Sequence, residues 1–488
     1  MQGAAWDSMF LTVVRIATIL SSLVLTKILS VGLSLESYGT YAQANTVISI
    51  GTSVILLGLG DAINYFYNNA SNDIEDSVRI RIVNTIFALE ILAGLFLAVV
   101  IVLGSDWIVS YFFNDALKVL LTVVALKPLL DNLNYFYQLL YVSTGKAKVI
   151  AVRNLVISAL KLGITYVTVY ILKDILCVFV ALILLDALQL LFFKVHFRSV
   201  AFLISPIRMS WTYISGILAY SIPMGIYVMT STLSREMDKL VIGRLTNTET
   251  LAIYANCSKI LPFDIISVSF ATVLIPYIMR YVSGNRQEDA TKLFRNYLKV
   301  GYYSVWTFGV AVLISAGQVI AMLYSQAYLQ GKTVFIIYVI DSMLKFASIH
   351  LILTAGGKAK TVMVYSMATL GLNFVLNILF FYGFGMNGPA VATLATTALY
   401  TYMVLRKSVG LIRAKWNEVF DIKDLVTFAI SIFLMGTAFR GINRWLCNLE
   451  IHQFIAMLVS SGGFCFSILL INRKRIITTL QQVNSLRA

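Results

Sequence analysis

Long apolar runs recur along the whole chain, separated by short polar stretches. They fall at about residues 10–33, 40–66, 80–103, 117–141, 149–172, 175–197 and 213–242. They return at about 250–277, 294–322, 333–355, 360–382, 387–406, 424–440 and 452–472. A helical crossing of the bilayer core needs about 20 mainly apolar residues, so the pattern predicts about fourteen transmembrane helices. The period-2 alternation of a membrane strand is absent. The spacing therefore predicts an all-α membrane protein.

Composition agrees and removes other classes. Of 488 residues, 59% are hydrophobic and only 12% charged, with a mean hydropathy of +0.83. Soluble domains carry about 25% charged residues, so a soluble enzyme, a disordered chain and a secreted disulfide scaffold are all excluded. Cys177, Cys257, Cys447 and Cys465, with His196, His350 and His452, show no metal-ligand or redox spacing. No metal, no cofactor and no catalytic constellation is expected. No loop is long enough to hold a soluble catalytic domain.

The charges orient the chain. With the N-terminus placed inside, 24 of the 38 Lys and Arg residues fall in loops on one side, among them Arg79, Arg81, Lys146, Lys148, Arg153, Lys358, Lys360 and Arg475. Six fall in the opposite loops: Lys118, Lys173, Arg244, Lys332, Arg440 and Arg444. That asymmetry is the positive-inside pattern and predicts cytoplasmic N- and C-termini. The net charge of +15 thus reports orientation. Scattered over short segments, it does not make a nucleic-acid surface. The start, with one acid at Asp7 and no basic residue before it, reads as a lead into an uncleaved first helix and not as a signal peptide.

Two stretches repeat. Glu36-Ser37-Tyr38-Gly39-Thr40-Tyr41-Ala42-Gln43 aligns with Glu249-Thr250-Leu251-Ala252-Ile253-Tyr254-Ala255-Asn256 at an offset of 213, and Gly145-Lys146-Ala147-Lys148 with Gly357-Lys358-Ala359-Lys360 at 212. The expected organisation is an N-lobe of helices 1–6 (1–205), a C-lobe of helices 7–12 (206–415), and helices 13–14 with a tail (416–488). Six helices per lobe give parallel repeats, a design that places substrate between lobes near the midplane and opens by alternating access.

Sixteen ionisable residues lie within the apolar runs. At about 2.5–3.5 kcal/mol each, lipid exposure of all would cost roughly 40–55 kcal/mol, so they must face a hydrated interior or one another. Candidate substrate-binding cations are Arg15, Lys27, Lys161, Arg235, Lys239 and Lys259. Candidate coupling or structural charges are Asp61, Glu90, Asp186, Asp238, Asp264, Lys127, Asp131, Asp341 and Lys345. Helical spacing pairs Lys127 with Asp131, Asp341 with Lys345, Glu236 with Lys239 and Arg235 with Asp238. Arg15, Lys27, Lys161 and Lys259 have no opposite charge one turn away. Lys27, near a helix end, has the alternative of snorkelling. Arg15 shares a helical stripe with Thr18, Ser22 and Thr26. For Arg15 and Lys161 the competing expectation is an ion pair with an acid on another helix, such as Glu90 or Asp186. Pro128, Pro223, Pro262 and Pro276 interrupt runs. Tyr135-Phe136-Tyr137 and Tyr141 are suited either to stacking on sugars or to helix packing.

In the order and context of Glu36-Ser37-Tyr38-Gly39-Thr40-Tyr41, Gly145-Lys146-Ala147-Lys148 and Met237-Asp238-Lys239-Leu240-Val241-Ile242-Gly243, the chain over about residues 8–415 resembles the Wzx-type O-antigen flippases. These form the polysaccharide-transporter branch of the multidrug/oligosaccharidyl-lipid/polysaccharide (MOP) exporter superfamily. The resemblance implies a flippase in the bacterial inner membrane that moves undecaprenyl-diphosphate-linked oligosaccharide, such as an O-antigen repeat unit for lipopolysaccharide, to the periplasmic leaflet. It implies a MATE-like V of two lobes around a cationic lumen, with charge at Arg15 and Asp238/Lys239. It also implies membrane lipids, a polysaccharide polymerase and chain-length machinery as partners, and no nucleic acid. The chain departs from the pattern in lacking basic residues before helix 1. The physics is compatible: an inside-negative potential supplies about 2.3 kcal/mol per charge per 100 mV, or about 4–5 kcal/mol for a diphosphate moving outward. The alternative within the same fold is a cation-coupled multidrug exporter, which needs carboxylates open to its cavity. A membrane polymerase or ligase would need a large catalytic loop.

Overall fold

A computed structural model describes residues 2–56, 58–68, 76–259, 265–346 and 349–485. Every regular element among them is helical. In the first half these are α1 (Gln2–Gly32), α2 (Leu35–Ile55), α3 (Leu59–Asn68), α4 (Asp76–Leu103), α5 (Ser105–Phe112), α6 (Ala116–Val124), α7 (Lys127–Ser143), α8 (Ala147–Val167), α9 (Ile175–Val200), α10 (Trp211–Leu245) and α11 (Thr248–Cys257). The second half holds α12 (Ile265–Ser283), α13 (Gln287–Ile314), α14 (Ala316–Leu323), α15 (Lys332–Leu344), α16 (His350–Ala355), α17 (Ala359–Phe384), α18 (Gly388–Ile412), α19 (Trp416–Val419), α20 (Ile422–Asn448), α21 (Gln453–Met457) and α22 (Gly463–Ser485).

Eight continuous stretches among the described residues are long and apolar enough to cross a membrane, and one of them, Ala359–Ile412, holds α17 and α18 back to back. Five expected runs are instead broken into two helices each: α2/α3, α6/α7, α11/α12, α13/α14 and α15/α16. Apart from α13/α14, these are the second and fourth runs of each predicted lobe. Pro128 explains one break. It lies in the first turn of α7, where the missing N–H costs nothing because that group has no intrahelical acceptor. Another break is tertiary. Gly58, between α2 and α3, has φ +73°, and a Cβ there would lie 2.8 Å from the backbone nitrogen of Gly225 in α10.

The repeat is visible in the backbone. Ser34 caps α2 by accepting from the Ser37 N–H at 3.1 Å, and Asn247, 213 positions on, accepts from the Thr250 N–H at 2.8 Å. Both G-K-A-K turns close alike. Gly145 (φ +75°) and Gly357 (φ +72°) take the left-handed conformation. The Lys146 and Lys358 N–H groups return to the carbonyls of Tyr141 at 2.8 Å and Leu353 at 2.7 Å. Glycine is suited to both positions because a Cβ disfavours positive φ.

Contacts divide the chain into two compact units, residues 1–252 and 253–488. In the first, α1 packs on α8, α7 on α4 and α9, and α10 on α2 and α3. The first helix of the second repeat therefore packs with the first unit. The first motif copy also touches the residue just before the second there: a Cβ on Gly39 would lie 2.1 Å from the Thr248 carbonyl oxygen, so glycine is required for that approach. An aromatic core of Phe87, Phe136, Tyr137, Tyr141, Phe193 and Phe197 binds α4, α7 and α9.

In the second unit α13 is central. It packs against α12, α15, α20 and α22. The C-terminal helices α20 and α22 dock on it through Tyr302, Tyr303, Phe428, Phe464 and Ile468. A polar knot closes one end of this assembly. The Tyr302 and Tyr303 hydroxyls donate to Asp424 Oδ2 at 2.6 and 2.7 Å, and Lys299 Nζ lies 3.1 Å from Asp421 and 3.6 Å from Asp424. Arg475 of α22 reaches Asp424 at 3.6 Å.

Candidate functional site

Four helices of the first unit present polar faces to one cavity of about 420 Å³. The spacing on each is helical: Thr18, Ser21, Ser22 and Leu25 on α1, and Asp131, Asn134, Tyr135 and Gln138 on α7, at i, i+3, i+4 and i+7. On α8 the lining runs Arg153, Asn154, Ile157, Ser158, Lys161 and Leu162, and α9 adds Asp186 and Gln189. Each helix turns a largely hydrophilic stripe to the cavity, and α1 and α8 carry exposed apolar residues such as Leu20, Val152 and Val156 on their other faces.

Asp186 organises the charges. It is buried and sits among donors: Lys127 Nζ at 3.0 Å, Gln189 Nε2 at 3.0 Å, and Lys161 Nζ at 3.4 Å. Lys127 also donates to Asp131 at 2.9 Å. The Asp186 carbonyl accepts from Asn134 Nδ2 at 2.9 Å, fixing α9 against α7. Arg153 donates to Gln189 and, at 2.8 Å, to Asn154 Oδ1, while its guanidinium lies 5.0 Å from the centre of the Phe193 ring. Such pairing lets ions sit where an isolated charge would be strongly disfavoured. The cluster holds three cations, Lys127, Arg153 and Lys161, against two carboxylates. Two buried polar atoms of lining residues, Arg153 Nε and Asn134 Oδ1, have no hydrogen-bond partner among the described residues. The two lysines differ. Lys127 is 14% exposed and makes two close bonds, whereas Lys161 is 32% exposed and held only at 3.4 Å. An incoming anion meets Lys161 as the more available charge.

The structure brings together Lys127, Asp131, Lys161 and Asp186 from the sequence-derived set. For Lys161 it joins both expectations, since the side chain lines a cavity and also pairs with Asp186. Lys27, Arg235, Lys239 and Lys259 are not among the residues lining this cavity. Arg235 is exposed and reaches Thr232 Oγ1 at 3.3 Å. The expected Glu236–Lys239 pair forms at 2.9 Å and adds Thr46, while Asp238 is buried and accepts from the Lys239 N–H. Asp341 and Lys345 pair at 2.6 Å in the second unit. Glu90 is fully buried on α4, and neither carboxyl oxygen has a hydrogen-bond partner among the described residues. Arg15 and Asp61 have side chains outside the described part, and Asp264 and Pro262 lie outside the described residues.

Arg153 corrects the sequence reading, which counted it with the loop cations beside Lys146 and Lys148. It lies in the second turn of α8 and opens that helix's cavity face, and the signal was its spacing of eight from Lys161. Of the aromatic cluster, Phe136, Tyr137 and Tyr141 are core, and Tyr141 bonds His196 Nδ1 at 2.6 Å. Tyr135 borders the cavity.

Comparison with known proteins fits this architecture. The chain is similar to the lipid II flippase MurJ in an inward closed conformation, with a TM-score of 0.73 at 13% identity, covering 96% of this chain and 99% of that one. It is similar to an inward-facing multidrug resistance MATE family transporter of the MOP superfamily, with a TM-score of 0.67 at 11% identity, covering 81% and 94%. The Vibrio cholerae MATE transporter VcmN in its bent form gives 0.52 at 12% identity, covering 85% and 98%. At these identities the likeness establishes the fold. A comparison with curated proteins gives no match. The family model described as "Polysaccharide biosynthesis protein" matches residues 24–333, well over half of the chain, and the chain belongs to that family.

Proposed function

We propose that the protein is a flippase that carries an undecaprenyl-diphosphate-linked oligosaccharide, such as an O-antigen repeat unit, from the cytoplasmic to the periplasmic leaflet of the inner membrane. Both termini are then cytoplasmic and transport proceeds by alternating access. The observation that carries this reading is the cavity among α1, α7, α8 and α9, polar within apolar helices and lined by Arg153 and Lys161, with Asp131 and Asp186 already engaged by Lys127 behind the wall. Family membership and the MOP fold support it.

The lining suits the two halves of such a head group. Arg153 and Lys161 provide charge for the diphosphate, the guanidinium as a planar fork and the ammonium as a point charge. The amides of Asn134, Gln138 and Asn154, the serines of α1 and the Tyr135 ring provide hydrogen bonds and a stacking face for sugars. Asp131 and Asp186 hold the cations in place and moderate binding, so that substrate is also released. Arg15 joins this set by its sequence spacing from Thr18 and Ser22. A drug-cation exporter is less well supported, because Asp131 and Asp186 are each already paired with lysine.

The test is surface glycan in a flippase-deleted host complemented with each variant at matched abundance. Lys161→Ala and Arg153→Ala should reduce export by about tenfold or more, the loss of one charge-assisted contact of about 1.5–3 kcal/mol. Lys161→Glu should be worse, since it repels the phosphate. Arg15→Ala should follow the same order. Full export by Lys161→Glu would overturn the assignment.

A further inference from the structure

The second unit contains a cleft of about 320 Å³ whose only charged lining residues are three cations, Lys332, Arg440 and Arg444. It is formed where the end of α13, the first turn of α14, the start of α15 and the last turns of α20 meet. Arg440, Asn443 and Arg444 occupy i, i+3 and i+4 of α20, so they share one helix face. Lys332 opens α15 on the opposite wall, close enough that a Cβ on Gly317 would lie 3.7 Å from its Nζ. None of the three side chains makes an ion pair or hydrogen bond among the described residues.

Position sharpens the contrast. The cleft lies at the C-terminal ends of α13 and α20, whereas the Lys299–Asp421–Asp424–Arg475 knot joins the middle of α13 to the start of α20. Sixteen residues separate Asp424 from Arg440, about 24 Å along a helix, most of the roughly 30 Å hydrocarbon core of a bilayer. Every cation in that knot meets a carboxylate. Three of the six cations that the sequence assigns to the cation-poor side therefore converge here without an acid. Elsewhere on that side, Lys118 pairs with Asp106 at 2.6 Å, and Arg244 donates to the carbonyls of Ser110 and Tyr111. Convergent, unpaired cations at a helix-end cleft, joined by the N-terminal turn of α14, make a ready site for an anion with several acceptor oxygens.

We propose that this cleft binds the phosphate of a lipid head group at the membrane face opposite the Lys299–Asp424 knot. The phosphate comes either from a resident phospholipid or from a polyprenyl diphosphate. The inference rests on this cleft alone and not on the cavity of the first unit.

Native mass spectrometry of the full chain in detergent tests it, with dioleoylphosphatidylglycerol, farnesyl diphosphate and phosphate-free dioleoylglycerol as probes. The wild type should retain a phosphate-bearing lipid and not dioleoylglycerol. R440Q/R444Q should weaken retention by at least about tenfold, the effect of losing charge-assisted contacts, while R440K/R444K should stay within about threefold. Displacement of phosphatidylglycerol by farnesyl diphosphate assigns the site to the polyprenyl diphosphate, and its persistence assigns a resident phospholipid. Equal retention by R440Q/R444Q and wild type, or equal binding of dioleoylglycerol, would overturn the proposal. The melting temperature of each variant, read in the same detergent, separates lost binding from lost fold.

Discussion

The charge cluster at the cavity of the first unit and the cleft of the second each gather three basic side chains, yet they treat them in opposite ways. Lys127 opens α7 in the middle of an apolar run and Lys161 and Arg153 lie along α8, and the lysines are tied to Asp131 and Asp186. Lys332, Arg440 and Arg444 sit at helix ends with no acid in the lining. Depth explains the difference. Within the hydrocarbon layer a cation needs a carboxylate because no bulk water is at hand, whereas near the interface water solvates it and leaves it open to a ligand.

The largest effect should come from removing the hub of the paired cluster. Asp186→Ala leaves Lys161 without a carboxylate and Lys127 with Asp131 alone, and should cost about 3–5 kcal/mol of stability in detergent unfolding. Adding Lys161→Met should recover part of it, because the stranded charge then disappears. A cost below about 1 kcal/mol would show that the cavity is wet enough to solvate its own ions, and the contrast with the cleft would dissolve.

R440Q/R444Q should do the reverse. Without ligand, loss of two unpaired like charges should leave stability within about 0.5 kcal/mol of wild type. A penalty as large as that of Asp186→Ala would place those arginines in a structural network.

The smallest effect concerns the other end of the same helix. Burial alone would raise the Asp421 carboxyl, but the Lys299 ammonium, the Asp424 N–H and the nearby Arg295 charge together hold it below its ordinary value of 3.8. A depressed carboxylate contributes stability at pH above that ordinary value, and the contribution is lost as pH falls through the depressed one. Thermal unfolding of the wild type should therefore show a slightly steeper acid loss than Asp421→Asn. Parallel curves would remove Asp421 from the docking of α20 on α13.

Much of the fold was legible because lipid imposes its length on every crossing segment, and the duplicated turns supplied the repeat. The breaks were less so. Pro128 announced one, but the kink at Gly58 arises from the approach of Gly225, about 165 residues later, and nothing local encodes it. The charges of the cavity were each legible as costly. The Lys127–Asp131 pair followed from spacing and Asp186 was one of two acids expected for Lys161, but the sharing of Asp186 by both lysines was not legible, because it joins α7, α8 and α9 across about sixty positions. Arg153 was hidden by proximity to Lys146 and Lys148, and the three cleft cations read only as markers of orientation. The i, i+4 spacing of Arg440 and Arg444 was visible, but a cleft is made by what stands opposite, and Lys332 lies over a hundred residues away in the chain.

The approach of Gly39 to the Thr248 carbonyl carries a different kind of consequence. Gly39 belongs to the first copy of the repeated motif and Thr248 stands immediately before the second, so the first copy is packed against the entrance to the second. Duplicated segments usually drift apart once each has its own neighbours. Here a side chain added at position 39 strikes the opening turn of the second copy, and a shift of that turn opens a gap against the first. Ancestry left the two segments alike, and mutual contact makes them answerable to each other, so the substitutions open to one depend on the residues that the other has kept.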